Sequence, residues 1–165
     1  MIERSYIDAM IQPSLEDLKR HLRITSGDLD ETLQPYLLAA IGSAEHHIGK
    51  IIARSEFTYS GWFIRSLELK GPDIMVKSVE VDGDALSEEE YTLSGRNLMI
   101  SMDVNGRELK VVYESGMTFV DFDIKAAILL SAAKLFNNPM DTVETLPGVA
   151  KNLLRPYRSW GLDGE

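Results

Sequence analysis

Residues 122–139 read FDIKAAILLSAAKLFNNP, and residues 145–161 read TLPGVAKNLLRPYRSWG. From Ile124 to Asn137 the first run carries only two charges, Lys125 and Lys134. A helix apolar nearly all round belongs inside a core. Asp121 is placed to cap it and Pro139 to end it. In the second run Pro147 fits the first turn of a last helix, and Pro156 breaks it by removing a backbone donor. Lys151, Arg155 and Arg158 fall on one stripe, and Leu146, Val149, Leu153, Tyr157 and Trp160 on another. This pattern fits either a terminal helix packed on the core or a docking element with apolar anchors and a basic rim.

Two more helices are expected upstream. Ser14 and Asp17 have capping-box spacing, and Leu15, Leu18 and Leu22 keep one stripe. That helix should stop by Ser26-Gly27. Asp28 is the expected cap of the second, with Asp30 and Glu31 in its first turn. Leu33, Leu37, Ala40, Ile41, Ala44 and Ile48 follow at helical spacing, with a kink or fresh start at Pro35 and an end near Ser55.

Between these helical ends the period changes to two. Short β-branched and aromatic runs lie near residues 57–59, 66–70, 76–81, 91–93, 98–102 and 108–113. Asp82-Gly83 is a two-residue hairpin signal, and Gly95-Arg96-Asn97 and Asn105-Gly106 mark further turns. The expected fold is α+β and mainly helical. Two N-terminal and two C-terminal helices (about 14–55 and 121–158) flank an inserted small antiparallel sheet (about 57–115), all in a single domain.

Composition narrows the function. The 165 residues carry a net charge of −9 and no cysteine. Disulfides, thiolate chemistry and zinc–thiolate sites are therefore excluded. The charge is uneven: residues 61–121 sum to −6, and residues 122–165 to zero. A protein that grips nucleic acid by its phosphates needs a clustered basic face, which this chain lacks. No basic and apolar leader opens the sequence, and the Phe122–Asn138 helix is too short to span a bilayer comfortably, so neither signal peptide nor membrane partner is expected.

Candidate chemistry is sparse. His46 and His47 are neighbours on a helix and point about 100° apart, so they do not share a metal as i, i+4 ligands do. Asp28, Asp30 and Glu31 resemble the start of a calcium loop but lack its glycine and distal glutamate, and helix capping accounts for them. Asp82, Asp84, Glu88, Glu89 and Glu90 gather near a hairpin. Paired carboxylates can act as acid and base, yet a solvated loop needs no such role. Ser60-Gly61 and Ser115-Gly116 lack the nucleophile-elbow frame, and no glycine-rich phosphate loop exists. No enzyme activity, cofactor or metal is expected. Trp62 reads as core of the β region, and Trp160 as a residue for an intermolecular contact.

Several stretches together resemble the head–tail connector (adaptor, or DNA-packaging) proteins of long-tailed bacteriophages and prophages. They are SLEDLKRHLRI (14–24), LQPYLLAAIGSAEHHIGKII (33–52), VVYESGM (111–117), DIKAAILLSAAKLFNNP (123–139) and LPGVAKNLLRPYRSW (146–160). The resemblance covers both ends of the chain and leaves most of the β region unmatched. It implies a virion structural protein at the head–tail junction, assembled in the bacterial host cytoplasm. Such proteins form a ring of about a dozen subunits that docks on the portal after packaging, lets DNA pass, and meets a stopper or tail-completion protein beneath. The family's portal contacts involve the C-terminal segment, which points here to Leu146, Val149, Lys151, Leu153, Leu154, Arg155, Tyr157, Arg158 and Trp160. The acidic residues Asp82, Asp84, Glu88, Glu89 and Glu90 are the candidates for a channel wall along which DNA slides, because like charge prevents sticking. The rival readings are a tail-completion or stopper protein, and a small cytosolic domain whose acidic β face meets a basic partner.

Overall fold

The computed structural model describes residues 1–138 and 146–158, the side chain of Asp8 excepted. The chain forms two compact units: residues 1–9 with 53–118, and residues 10–52 with 119–165.

The first unit is all β. Strands β1 (Ile2–Tyr6), β2 (Ser55–Trp62), β8 (Glu108–Ser115), β4 (Met75–Val81) and β5 (Asp84–Ala85) form an antiparallel sheet in the order β1-β2-β8-β4-β5. A second sheet has the order β3-β7-β6, from Ser66–Glu68, Asn97–Ile100 and Tyr91–Ser94. Alternation sets the faces, because successive side chains in a strand point to opposite sides. In β8, Leu109, Val111 and Tyr113 are buried, while Glu108 and Lys110 are exposed. Phe57 stacks on Tyr113 with ring centroids 5.2 Å apart. The Tyr113 hydroxyl accepts from Lys70 N at 3.0 Å, just past β3. Asp82-Gly83 makes the β4–β5 hairpin, with both residues at positive φ (52° and 92°). That is the twist a two-residue hairpin requires.

The second unit is helical: α1 (Leu15–Leu22), α2 (Asp30–Ile48), α3 (Phe122–Asn137) and α4 (Gly148–Leu154), the last followed by a 3-10 turn, Arg155–Tyr157. Ser14 and Asp17 form the expected capping box, with Ser14 N donating to the Asp17 carboxylate at 3.0 Å. Lys19 Nζ meets Asp30 at 2.9 Å and ties α1 to the start of α2. Leu18, Leu33, Leu37, Ile41, Ile48, Ile124 and Ile128 are almost completely buried. Tyr36 and Phe136 meet edge to face at 6.2 Å.

Several expectations are corrected. The chain is α+β but not mainly helical: among the described residues 37% are helix and 27% strand. The layout of two helices, one inserted sheet and two helices does not hold. The chain opens on a strand, β1, which pairs with Ser55–Tyr59. The β region also divides into two sheets rather than one. Helix α1 stops at Leu22, within the expected Ser26-Gly27 limit, where Arg23 adopts the left-handed cap conformation at φ 59°. Helix α2 begins after Leu29, not at an Asp28 cap, and runs unbroken through Pro35. Pro35 lies early in the helix and removes a single donor. Gly49 ends α2 well before Ser55, and the Glu45 carboxylate accepts from Ile52 N at 2.8 Å just beyond it.

Candidate functional site

Leu146, just before α4, and Ala150 and Leu154 within it recur every four residues and are all buried. They hold the helix to its own unit. Outside that stripe, Val149 is 62% exposed, and Arg155 and Arg158 are exposed. Lys151, Leu153 and Tyr157 are half-buried. Partial burial and the carboxylates of Asp121 and Asp123 push the Tyr157 phenol upward in pKa, and Asp121 is also its hydrogen-bond partner. The 3-10 turn therefore lies beside the N-terminus of α3. There Phe119 and Phe122 are 69% and 82% exposed, which the sequence reading did not single out. The C-terminal candidates thus divide into buried Leu146 and Leu154, half-buried Lys151, Leu153 and Tyr157, and exposed Val149, Arg155 and Arg158. Trp160 lies outside the described residues.

The acidic candidates also divide. The Asp82 carboxylate accepts from Arg107 N at 2.9 Å and Glu108 N at 2.8 Å. These bonds hold its pKa below the usual range and lock the hairpin to the start of β8. The Glu90 carboxylate accepts from Ser87 N and Ser87 Oγ, each at 2.8 Å, and its pKa is lowered by these bonds. Both residues shape turns. Asp84, Glu88 and Glu89 are exposed and have no side-chain partner among the described residues.

A concavity lies in the β unit, beside the Asp82-Gly83 hairpin. It encloses about 390 Å³ and is lined by Ser60, Gly61, Trp62, Glu80, Asp82, Gly83, Glu108, Leu109 and Lys110. Trp62 pairs with Glu108 across β2 and β8, and Ser60 with Lys110. These four residues point away from the buried face. Trp62 is 79% exposed and is not core, contrary to the sequence reading. Counting in twos from buried Phe57 places Trp62 on the outer face, so the signal was in the sequence.

Among the described residues no group of three or more His, Cys, Asp and Glu side chains is placed to hold a metal. No described helix is long and apolar enough to cross a membrane.

The chain matches no family model and no curated protein. Solved structures share its fold. A chain from the neck of an empty GTA particle, computed with C6 symmetry, superposes with a TM-score of 0.73 at 17% identity, over 100% of this chain and 98% of that one. A chain from the neck of the native GTA particle, computed with C12 symmetry, gives 0.72 at 16% identity, over the same shares. A chain from the virion of the native gene transfer agent particle gives 0.68 at 16% identity, again over 100% and 98%.

Proposed function

We propose that this protein is a structural component of a virion neck: a head–tail connector that forms a ring, docks on the portal and lets DNA pass through. The observation that carries this reading is the end-to-end likeness of fold to chains of GTA particle necks, described with six- and twelve-fold symmetry. The resemblance of the chain's two ends to connector sequences is a separate line of support. The role is assembly rather than catalysis.

In this reading the accessible side of the C-terminal segment, with Val149, Arg155, Tyr157 and Arg158, faces the portal. Arginine and tyrosine are the residue types that anchor interfaces. Leu146 and Leu154 act indirectly by holding α4 in place. Asp84, Glu88 and Glu89 are the acidic side chains free to face passing DNA, whose phosphates they repel. Asp82 and Glu90 shape the turns that present them.

Negative-stain electron microscopy of the purified protein, alone and mixed with the portal protein of the same genome, tests the proposal. Closed rings, or an added layer on the exposed end of the portal, are the expected result. Monomers in both samples would overturn it. Binding to a tail assembly in place of the portal would instead assign the chain as a tail-completion or stopper protein.

A further inference from the structure

A ring of identical subunits requires a heterologous contact, in which two different patches of one chain are complementary. The Trp62 concavity has the properties of one such patch. Its floor is the outer face of β2 and β8, on which Trp62 stands next to Glu108. Lys110 is already engaged with Glu80 at 3.4 Å. The Asp82 carboxylate is taken up by the backbone. The Glu108 carboxylate alone among these acids has no side-chain partner among the described residues. An exposed indole beside a free carboxylate is the chemistry that receives a guanidinium, which stacks on the ring and pairs with the acid.

The same chain supplies few candidates for the other side. Most arginines are occupied: Arg20 by Asp17, Arg54 by Glu114, Arg65 by Ser101 and Asn105, and Arg96 by Glu68. Arg107 lies close enough to Asp82, which lines the concavity, to act on its carboxylate. Arg4 and Arg158 are also engaged. Among the described residues, Arg23 and Arg155 remain. Arg155 lies in the segment that docks outward in the proposed function. Arg23 caps α1 in the left-handed conformation, is exposed, and has Arg20 and His21 for neighbours, also exposed.

We infer that Arg23 of one copy stacks on Trp62 and pairs with Glu108 of the next copy, and that this contact closes the ring. The inference rests on the ring reading above. It makes the contact polar and sensitive to salt.

Sedimentation velocity of the full chain, alone and on portal, measures the concentration at which assembly is half complete. The variants are Trp62→Ala, Arg23→Glu, Glu108→Arg and the double swap Arg23→Glu/Glu108→Arg. All four keep exposed positions, and Arg23→Glu exchanges one long side chain for another at the same backbone angle. Circular dichroism confirms that each variant is folded. Each single change should raise the half-assembly concentration by about tenfold or more, and the double swap should bring it back toward wild type. Single variants that assemble like wild type would overturn the contact and leave the ring reading standing. A double swap that stays as defective as its parents would overturn the pairing. A wild-type protein that forms no ring and adds no layer to the portal would overturn both.

Discussion

Gly116 provides the sharpest test of the β unit. It follows β8 directly and sits at φ +143°. A Cβ there would lie 2.6 Å from Arg54 Cα, 2.7 Å from Arg54 N and 2.8 Å from the Ala53 carbonyl oxygen. All three are backbone atoms, so relief requires moving the chain that enters β2. That movement acts on Ser55↔Ser115, the last pair of the β2–β8 ladder, and on the bond from Gly116 N to the Pro72 carbonyl at 3.1 Å. Backbone strain of this kind costs about 1–3 kcal/mol. One or two weakened hydrogen bonds add about 1 kcal/mol each. Gly116→Ala should therefore destabilise the β unit by about 2–5 kcal/mol. Gly83 is the control. It also has positive φ, +92°, but nothing lies within 4 Å of its added Cβ. Gly83→Ala should cost only the conformational term, about 1–2 kcal/mol. Urea unfolding followed by far-ultraviolet circular dichroism, with slopes compared between variants, measures both. A Gly116→Ala protein within about 1 kcal/mol of wild type, or equal to Gly83→Ala, would refute the close backbone approach as the reason for glycine.

Leu154→Ala should cost about 2–5 kcal/mol by opening a cavity in the helical unit, whereas Val149→Ala should stay within about 0.5 kcal/mol in thermal melts yet weaken portal binding. Acid titration should reveal the capping box. The bonds from Ser14 hold the Asp17 carboxyl below its ordinary 3.8. Its contribution is thus present above the unfolded value and lost as pH falls through the lower folded value. Asp17→Asn should flatten the loss of stability below about pH 4 in pH-dependent urea melts, after a loss of about 1 kcal/mol at neutral pH. Lysine at Asp84, Glu88 and Glu89 together should slow DNA ejection more than it impairs particle assembly, as scored by ejection assays and particle counts. Normal ejection by that variant removes the case for a repelling wall.

What the sequence disclosed depended on how local each cause was. The α3 boundary, the Ser14 cap and the Asp82-Gly83 hairpin follow from residues within a few positions of each other, and the structure has all three. Strand β1 is different. Its pattern is weak, and it is a strand because β2, some fifty residues away, supplies its hydrogen bonds. Arg4 looks like a surface charge in sequence. In the fold its guanidinium lies 4.4 Å from the Tyr6 ring and donates to Ser55 Oγ at 3.0 Å, so the arginine fixes that edge strand to β2. No local pattern encodes such a pairing.

The burial pattern of the C-terminal candidates was legible in part, and the reason lies in one small residue. Counting only large apolar side chains gives the stripe Leu146, Val149, Leu153, Tyr157. Counting Ala150 gives Leu146, Ala150, Leu154, which is the stripe the fold buries. A close helix contact favours alanine at its centre because the backbones can then approach. With that stripe turned inward, the same helical period turns Val149 outward and leaves Arg155 and Arg158 at the exposed end of the segment. The burial that removes two leucines from the candidate docking surface is therefore also what presents the residues remaining on it. Loss of Leu154 and loss of Arg155 should then weaken portal binding by separable routes: the first with a fall in stability, the second at unchanged stability and with a steeper dependence on salt in wild type than in the variant.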